Sequence, residues 1–284
     1  MSIPISGVIN TLNEEANIAT ALQSLMPWVD ETIVVDMNST DRTVEIAAAI
    51  GARVVVTDGP GFNMPPRAFA LAQASHEWVF VLDADEMVPI KLARELRRLT
   101  DTDRWDAVCI PRRNYHFGAV LEYCKLGPEA DRQLRMFRRP FVVASSIAHH
   151  DFSVLPTARL LMMPYDPACA LVHFNYIDAV QYIEKLNRYT TVEAVQARAR
   201  GERAAIGNLI YRPVREFVGR YIIRRGYRDG WRGLHVSLLM AIYRIVTNIK
   251  LRELERVGSR TNILSIYRQH AQQIIREYSG PDRS

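Results

Sequence analysis

The first hundred residues switch repeatedly between two hydrophobic periods, and this alternation constrains the fold more than any other feature of the chain. "IPISGVINT" (residues 3–11) reads as a strand, and "NEEANIATALQSL" after it spaces Ile18, Ala21, Leu22 and Leu25 as a helix does. "ETIVVDM" is a short β-branched run, and "NSTDRTVEIAAAI" begins a helix that Ser39 or Thr40 can cap, with Asp41 and Glu45 near its positive end. "ARVVVT", the helix "PPRAFALAQAS" and the strand "EWVFVLD" continue the series. Strands alternating with short helices build parallel β-α-β units with right-handed crossovers. The N-terminal half is therefore expected to be an α/β, doubly wound, mostly parallel sheet.

In such a sheet, ligands sit outside the carboxyl ends of the strands. The polar residues at three strand ends are Thr11 with Asn13 and Glu14, Asp36 with Asn38 and Ser39, and Asp83 with Asp85. They are expected to line one crevice. The third end, "VFVLDADEMV", places Asp83, Asp85 and Glu86 within four residues of one another. Crowded carboxylates repel, so a cation between them is the first expectation. The alternative is an acidic turn that caps a helix starting near Pro89, and Glu86 reads as facing solvent. The one GxG, Gly59-Pro60-Gly61, loses an amide to its proline, and no GK[ST] follows. Any phosphate bound here must then be met by metal and side chains.

Composition narrows the classes further. The 284 residues are 48% hydrophobic, enough for a substantial core. Cys109, Cys124 and Cys169 are too scattered for a disulfide framework or a zinc site, which suits a reducing cytosol. "MSIPISGVINTLNEE" has no basic n-region, so no signal peptide is expected, and the uncharged stretch Gly233–Tyr243 is too short to span a bilayer. Residues 1–184 hold 16 Lys and Arg against 23 Asp and Glu, a net of −7, whereas residues 185–284 hold 20 against 8, a net of +12. Opposite charges suggest two jobs. The pI of about 9.2 raises a nucleic-acid binder as an alternative, but no recognised nucleic-acid motif is present and the acidic front half would repel phosphates.

The three strand-end motifs, "INTLNEE", "VVDMNSTDRT" and "LDADE", occur in the order seen in the nucleotide-binding half of the inverting, family-two glycosyltransferases, which residues 3 to about 100 resemble. "RRNYHFG", "DRQLRMFRR", "VHFNYIDAVQYIEKLNRYT" and "GYRDGWRGLHVSLLMAIYRIV" extend the resemblance to soluble bacterial enzymes that glycosylate the lipopolysaccharide core and similar surface glycans. It implies a GT-A fold over residues 1–176, with a nucleotide-binding half to residue 100 and an acceptor half after it, followed by a basic helical extension over 177–284. It also implies a nucleotide-sugar donor, a UDP-sugar favoured, and a glycan or lipid-linked glycan acceptor, with no nucleic-acid partner. A non-catalytic nucleotide-binding module is the alternative within the fold.

For the chemistry, a divalent cation, Mg²⁺ or Mn²⁺, is the natural electrophile for a departing diphosphate. Asp85 is expected to ligate it directly. Asp83 is expected at the metal's water shell or the ribose, and Asp36 at the base or ribose. Leu12 stands where many relatives carry an aromatic residue, and "AHHDF" (Ala148–Phe152) where the subgroup often carries His-Glu. Inversion requires a general base. Asp151 is preferred, with His150 second and His149 on the acceptor side. Asp131 is expected to contact the acceptor and Arg135 the diphosphate; alternatively, "RMFRR" is an edge strand with solvated arginines. His173, Lys185, Arg188 and Tyr189 read more readily as structural.

The C-terminal helix pattern "VSLLMAIYRIVTNIKL" aligns Leu238, Leu239, Ile242, Ile245, Val246 and Ile249 near the 3.6 period, with Arg224, Arg225, Arg228, Arg232, Arg244, Lys250 and Arg252 around it. Such a surface can lie on an anionic membrane, or it can pack its apolar face on the sheet and show its arginines to water. A cytoplasmic enzyme is expected, with the inner face of the plasma membrane as its place of work in the first case.

Overall fold

The computed structural model describes residues 3–57, 67–144 and 152–278. The expected series is present as β1 (Ile5–Thr11), α1 (Ile18–Leu25), β2 (Glu31–Asp36), α2 (Thr43–Ile50), β3 (Arg53–Val56), α3 (Arg67–Gln73) and β4 (Trp78–Asp83). Then follow β5 (Glu86–Met87), α4 (Ile90–Thr100), β6 (Ala107–His116), β7 (Ala119–Val120), β8 (Arg132–Arg138), β9 (Val142–Ala144), β10 (Phe152–Val154), β11 (Leu160–Met162) and β12 (Leu171–Tyr176). Four α-helices close the described part of the chain: α5 (Ala179–Ala199), α6 (Asn208–Phe217), α7 (Gly230–Arg256) and α8 (Arg260–Tyr278).

The main sheet runs in the order β3-β2-β1-β4-β8-β6-β12-β5. β1, β2, β3 and β4 are parallel, β8 is antiparallel to both its neighbours, and β12 returns parallel to β6. Strand alternation sorts the core into two layers. Ile5, Ile9, Trp78, Phe80 and Leu82 meet α1 and α4 through Leu22, Leu25, Leu92 and Leu96. Val8, Val79, Val81 and Phe137 meet Ala70 of α3 on the opposite face. Gly7 permits the close approach of α1, because a Cβ there would stand 2.9 Å from Leu25 Cδ2.

Two readings of the sequence are corrected. "RMFRR" lies in β8, between β4 and β6, and is no edge strand. An arginine can occupy an interior strand there because carboxylates from its neighbours meet it. The acidic turn does not cap a helix either: α4 begins after Pro89, and no side chain bonds its first turn.

The chain divides into two compact units, residues 1–184 with 219–237 and residues 185–218 with 238–284. In the second, Ala194, Ala197 and Leu251 form a small core, and Lys250 Nζ donates to the Asn187 carbonyl and to the hydroxyls of Thr190 and Thr191. Arg244 bridges Glu193 and Glu216, while α8 buries nothing. The stripe buried along this part of α7 is Tyr243, Thr247, Asn248 and Leu251, whereas Leu238, Ile242 and Ile249 are exposed. Of the expected apolar face, Leu238, Ile242 and Ile249 are thus turned outward, while Leu239, Ile245 and Val246 are half-buried. A helical stretch from Gly226 to Arg256, 31 residues, is long and apolar enough to cross a membrane by length and composition, with 33% of its most apolar window buried in protein. Counting uncharged residues alone misses it because the helix runs on through Arg244.

The start of β6 is fastened by Asp106, which is buried and accepts from the backbone N, Nε and Nη2 of Arg159, each at 2.8 Å. These bonds outweigh the upward push of burial and hold the Asp106 carboxyl down at about 2. Its folded value is depressed, so its stabilisation is full above the unfolded value of about 3.9 and is lost as pH falls toward 2. Asp106→Asn should lower the urea midpoint at pH 7 and flatten the fall in stability between about pH 4 and pH 2. An unchanged acid limb in the variant would refute the assignment.

Candidate active site

The loops after β1 and β2 are bonded to each other. Asn13 and Asn38 adopt left-handed backbone angles, φ 54° and 65°, which asparagine tolerates better than other side chains with a Cβ. Asn13 N donates to Ser39 Oγ at 2.8 Å, Thr40 N to Asn13 Oδ1 at 2.8 Å, and Glu14 N to Thr43 Oγ1 at 2.8 Å. Asp36 is fully buried and accepts from Ser39 N and Oγ. Its carboxylate therefore shapes the loop. Asp41 takes the capping role given to Ser39 or Thr40, accepting from Thr43 N at 3.0 Å. Asn10, beside Asp83 in register, and Thr11 bury side-chain polar atoms that have no partner among the described residues. Asn10 was missed in the sequence, although a buried amide inside an apolar strand is its own signal.

Asp83 and Glu86 open a chain of alternating charges that crosses the sheet. Asp83 Oδ1 pairs with Arg67 Nη2 at 3.0 Å, and its Oδ2 with Arg135 Nη2. Arg135, 1% exposed, also pairs at 2.8 Å with Glu86, which is 0% exposed. Glu86 Oε1 meets Arg112 Nη1 at 2.9 Å, and Arg112 Nη2 meets Asp131 Oδ2 at 3.0 Å. Glu86 is thus a buried strut and not the solvent-facing residue expected. Arg135 spans two carboxylates inside the sheet. Arg67 and Arg112 were missed because nothing local in the sequence marks their partners.

Burial would push Asp83 up, but the fields of Arg135, Arg67 and Arg112 overcome it and hold the carboxyl far below the usual range. Asp131 is likewise held low against burial by Arg112, Asn114 and Gln133. Arg112 is raised: burial opposes its charge, but Glu86 and Asp131 outweigh burial.

From Asp131 the chain turns to the site. Asn114 Nδ2 donates to Asp131 Oδ2 at 2.7 Å and to the Leu126 carbonyl at 2.8 Å, which aims its Oδ1 at His173 Nδ1, 2.6 Å away. His173 Nδ1 must then be the donor. In the neutral ring this leaves the Nε2 lone pair facing Asp85 Oδ2 at 3.4 Å. An imidazolium, or a cation held between the two, would satisfy both groups. An imidazole and a carboxylate suit a divalent metal, and the fixed Nδ1–H is the usual support for a ligating histidine. Among the described residues no three His, Cys, Asp or Glu converge, so phosphate and water would complete the shell. Asp83 is committed to arginines. His149, His150 and Asp151 lie outside the described residues.

The strand order, with three polar strand ends on one edge and an aspartate pair after β4, defines an α/β fold of the GT-A type. Residues 6–148 match the model of glycosyl transferase family 2, and the chain belongs to that family and is a glycosyltransferase. It is 28% identical over 259 residues to the uncharacterized glycosyltransferase RT0209 of Rickettsia typhi, covering 88% of this chain and 87% of that one. It is also 28% identical over 274 residues to the lipopolysaccharide core biosynthesis glycosyltransferase LpsC of Rhizobium meliloti, covering 92% and 96%. Among solved structures, glucosyl-3-phosphoglycerate synthase from Mycobacterium tuberculosis in complex with Mn²⁺, UDP and glucosyl-3-phosphoglycerate aligns over 70% of this chain and 81% of that one, at 22% identity and a TM-score of 0.43.

Removing Arg135 would leave buried Glu86 with Arg112 as its single guanidinium partner and would take a second arginine from Asp83. Arg135→Ala is expected to cost about 3–5 kcal/mol in urea unfolding, the usual cost of breaking a buried pair, and Arg135→Lys should recover only part of it. A loss below about 1 kcal/mol, the level of a surface pair, would contradict the charge chain.

Proposed function

We propose that the enzyme transfers a sugar, with inversion, from a nucleotide-sugar donor, a UDP-sugar favoured, to a hydroxyl of a lipopolysaccharide-core or other cell-surface glycan. The observation that carries the donor side is the Asp85–His173 pair with its tautomer set by Asn114. Those two residues would hold Mg²⁺ or Mn²⁺. Such an ion would supply neutralisation of the charge gathering on the departing nucleoside diphosphate. Asp83, pinned by Arg67 and Arg135, is a rigid acceptor for a ribose hydroxyl or a metal-bound water. Thr11, Asn13, Glu14, Asn38 and Ser39 form the donor-side rim, with Asp36 holding its shape. The resemblance to LpsC over 92% of the chain supports the acceptor class.

On the acceptor side the attacking hydroxyl forms its bond to the anomeric carbon as the bond to the diphosphate breaks, and its proton must pass to a base. Asp131, held below its ordinary pKa, is a weak base and serves as a fixed hydrogen-bond acceptor. The base is assigned to Asp151, with His150 second and His149 beside the acceptor.

Calorimetric titration of UDP is expected to show binding that requires Mn²⁺ and is lost in Asp85→Ala. Asn114→Leu should weaken the metal-dependent part tenfold to a hundredfold, as for other residues that support a ligand. UDP binding of equal strength without metal would overturn the donor assignment.

A lipid-linked acceptor would place the enzyme on the cytoplasmic face of a membrane. Exposed Ile210, Tyr211 and Val214 on α6 and Leu238, Ile242 and Ile249 on α7 support this, as does the net +12 of residues 185–284. Vesicles containing anionic phospholipid should co-sediment the enzyme at low salt, and Ile210→Asp with Ile242→Asp should cut that binding at least tenfold. Equal binding to neutral vesicles, or by the double variant, would count against it.

A further inference from the structure

The connection between β6 and β7 is a two-residue hairpin, Phe117-Gly118, since His116 pairs with Ala119 across it. Both central residues have positive φ, 51° and 81°, the pattern of a type I′ turn. Asparagine, aspartate or glycine suits the first of these positions, and a bulky aromatic there is an outlier. The turn itself gains nothing from an aromatic at this position, and the Phe117 ring is held by its neighbours, edge-on to buried His116 at 6.3 Å. That ring lies 6.2 Å from Trp231 at an interplanar angle of 26°, and Trp231 remains 51% exposed. Arg232 lies over the Trp231 ring at 4.5 Å, and its Nε donates to the Phe117 carbonyl at 3.0 Å. Beside them, Arg228 covers the Tyr123 ring at 5.5 Å.

This surface is rigidly built. Asp229 accepts from Glu122 N and Tyr123 N, at 3.0 and 3.1 Å, and fastens the turn that carries Trp231. A Cβ on Gly233 would stand 1.8 Å from the Gly226 carbonyl oxygen, so the two segments of that turn touch backbone to backbone. β6 also carries Arg112 and Asn114 into the site and reaches Phe117 three residues later, a distance of about 10 Å at the usual rise of a strand. Trp231, half-exposed and held between Phe117 and Arg232, presents an aromatic edge beside guanidinium groups, which matches the chemistry of a saccharide: C–H groups that pack on a ring and hydroxyls that accept hydrogen bonds.

We propose that Phe117, Trp231 and Arg232 form a saccharide-binding platform that grips the acceptor glycan at sugar units away from the reacting hydroxyl. The proposal rests on the reading of the enzyme as a glycan-directed transferase. The platform supplies binding away from the reacting bond and positions the acceptor.

The test uses the full chain and core oligosaccharides released from rough and deep-rough lipopolysaccharide and freed of lipid A. Trp28 and Trp78 are buried, so the half-exposed Trp231 should be among the tryptophans most open to acrylamide. The oligosaccharides should protect this fluorescence in the wild type and not in Trp231→Phe. Phe117→Asn, which suits the turn, should unfold at the same or a higher temperature yet bind the oligosaccharides at least tenfold more weakly. Both variants should bind UDP with Mn²⁺ as the wild type does. Undiminished oligosaccharide binding by Phe117→Asn, or shielding of Trp231 by anionic vesicles and by no oligosaccharide, would overturn the platform while leaving the donor site intact. Loss of metal-dependent UDP binding in the wild type would instead fail the underlying reading.

Discussion

A carboxylate inside a sheet is tolerable only with its countercharge, and that constraint organises the centre of this protein. Glu86, fully buried, lies between Arg135 and Arg112, which are themselves tied to Asp83 and Asp131. Removing Glu86, Arg135 or Arg112 takes countercharge from its neighbours on both sides, so β4, β5, β6 and β8 are held in mutual register by electrostatics as well as by apolar contact. The crowding of acidic residues after β4 then has two causes. Asp83 and Glu86 are anchored by arginines, and Asp85 reaches His173 at the edge where a donor would enter.

The scaffold and the chemistry are joined through one amide. Because Asn114 donates to Asp131 and Leu126, its oxygen is left for His173, and the ring's second nitrogen turns to Asp85. A structural ion-pair chain thereby decides the tautomer of a residue at the candidate site. Asp131 would be a poor general base for the same reason: the arginine that anchors it also keeps it ionised. Within that field Asp131 suits the role of a fixed hydrogen-bond acceptor better than that of a base.

The basic C-terminal part shows the opposite economy. In residues 185–218 with 238–284, α7 buries Thr247 and Asn248 while Leu238, Ile242 and Ile249 face outward. The acidic Glu216 is turned in to Arg244. Those exposed apolar residues are the ground for the membrane contact proposed above.

Local periodicity determined the first half of the fold from the sequence alone: β1 to β4 and the helices between them lie where period two and period 3.6 alternate, and the polar strand ends fall on one edge because parallel crossovers put them there. The motifs at Asn13, Asp36, Asp83 and Asp85 were readable for the same reason, being short and sited at strand ends. Only the tertiary structure decided that Glu86 is buried, that "RMFRR" runs between two strands, which stripe of α7 is covered, and that Arg67, Arg112 and Arg135 belong to the acidic turn. Those pairings join residues tens of positions apart, up to 52 between Arg135 and Asp83. A periodic pattern tells which residues share a face, but not what that face meets, because the partner is chosen by how distant segments close on one another.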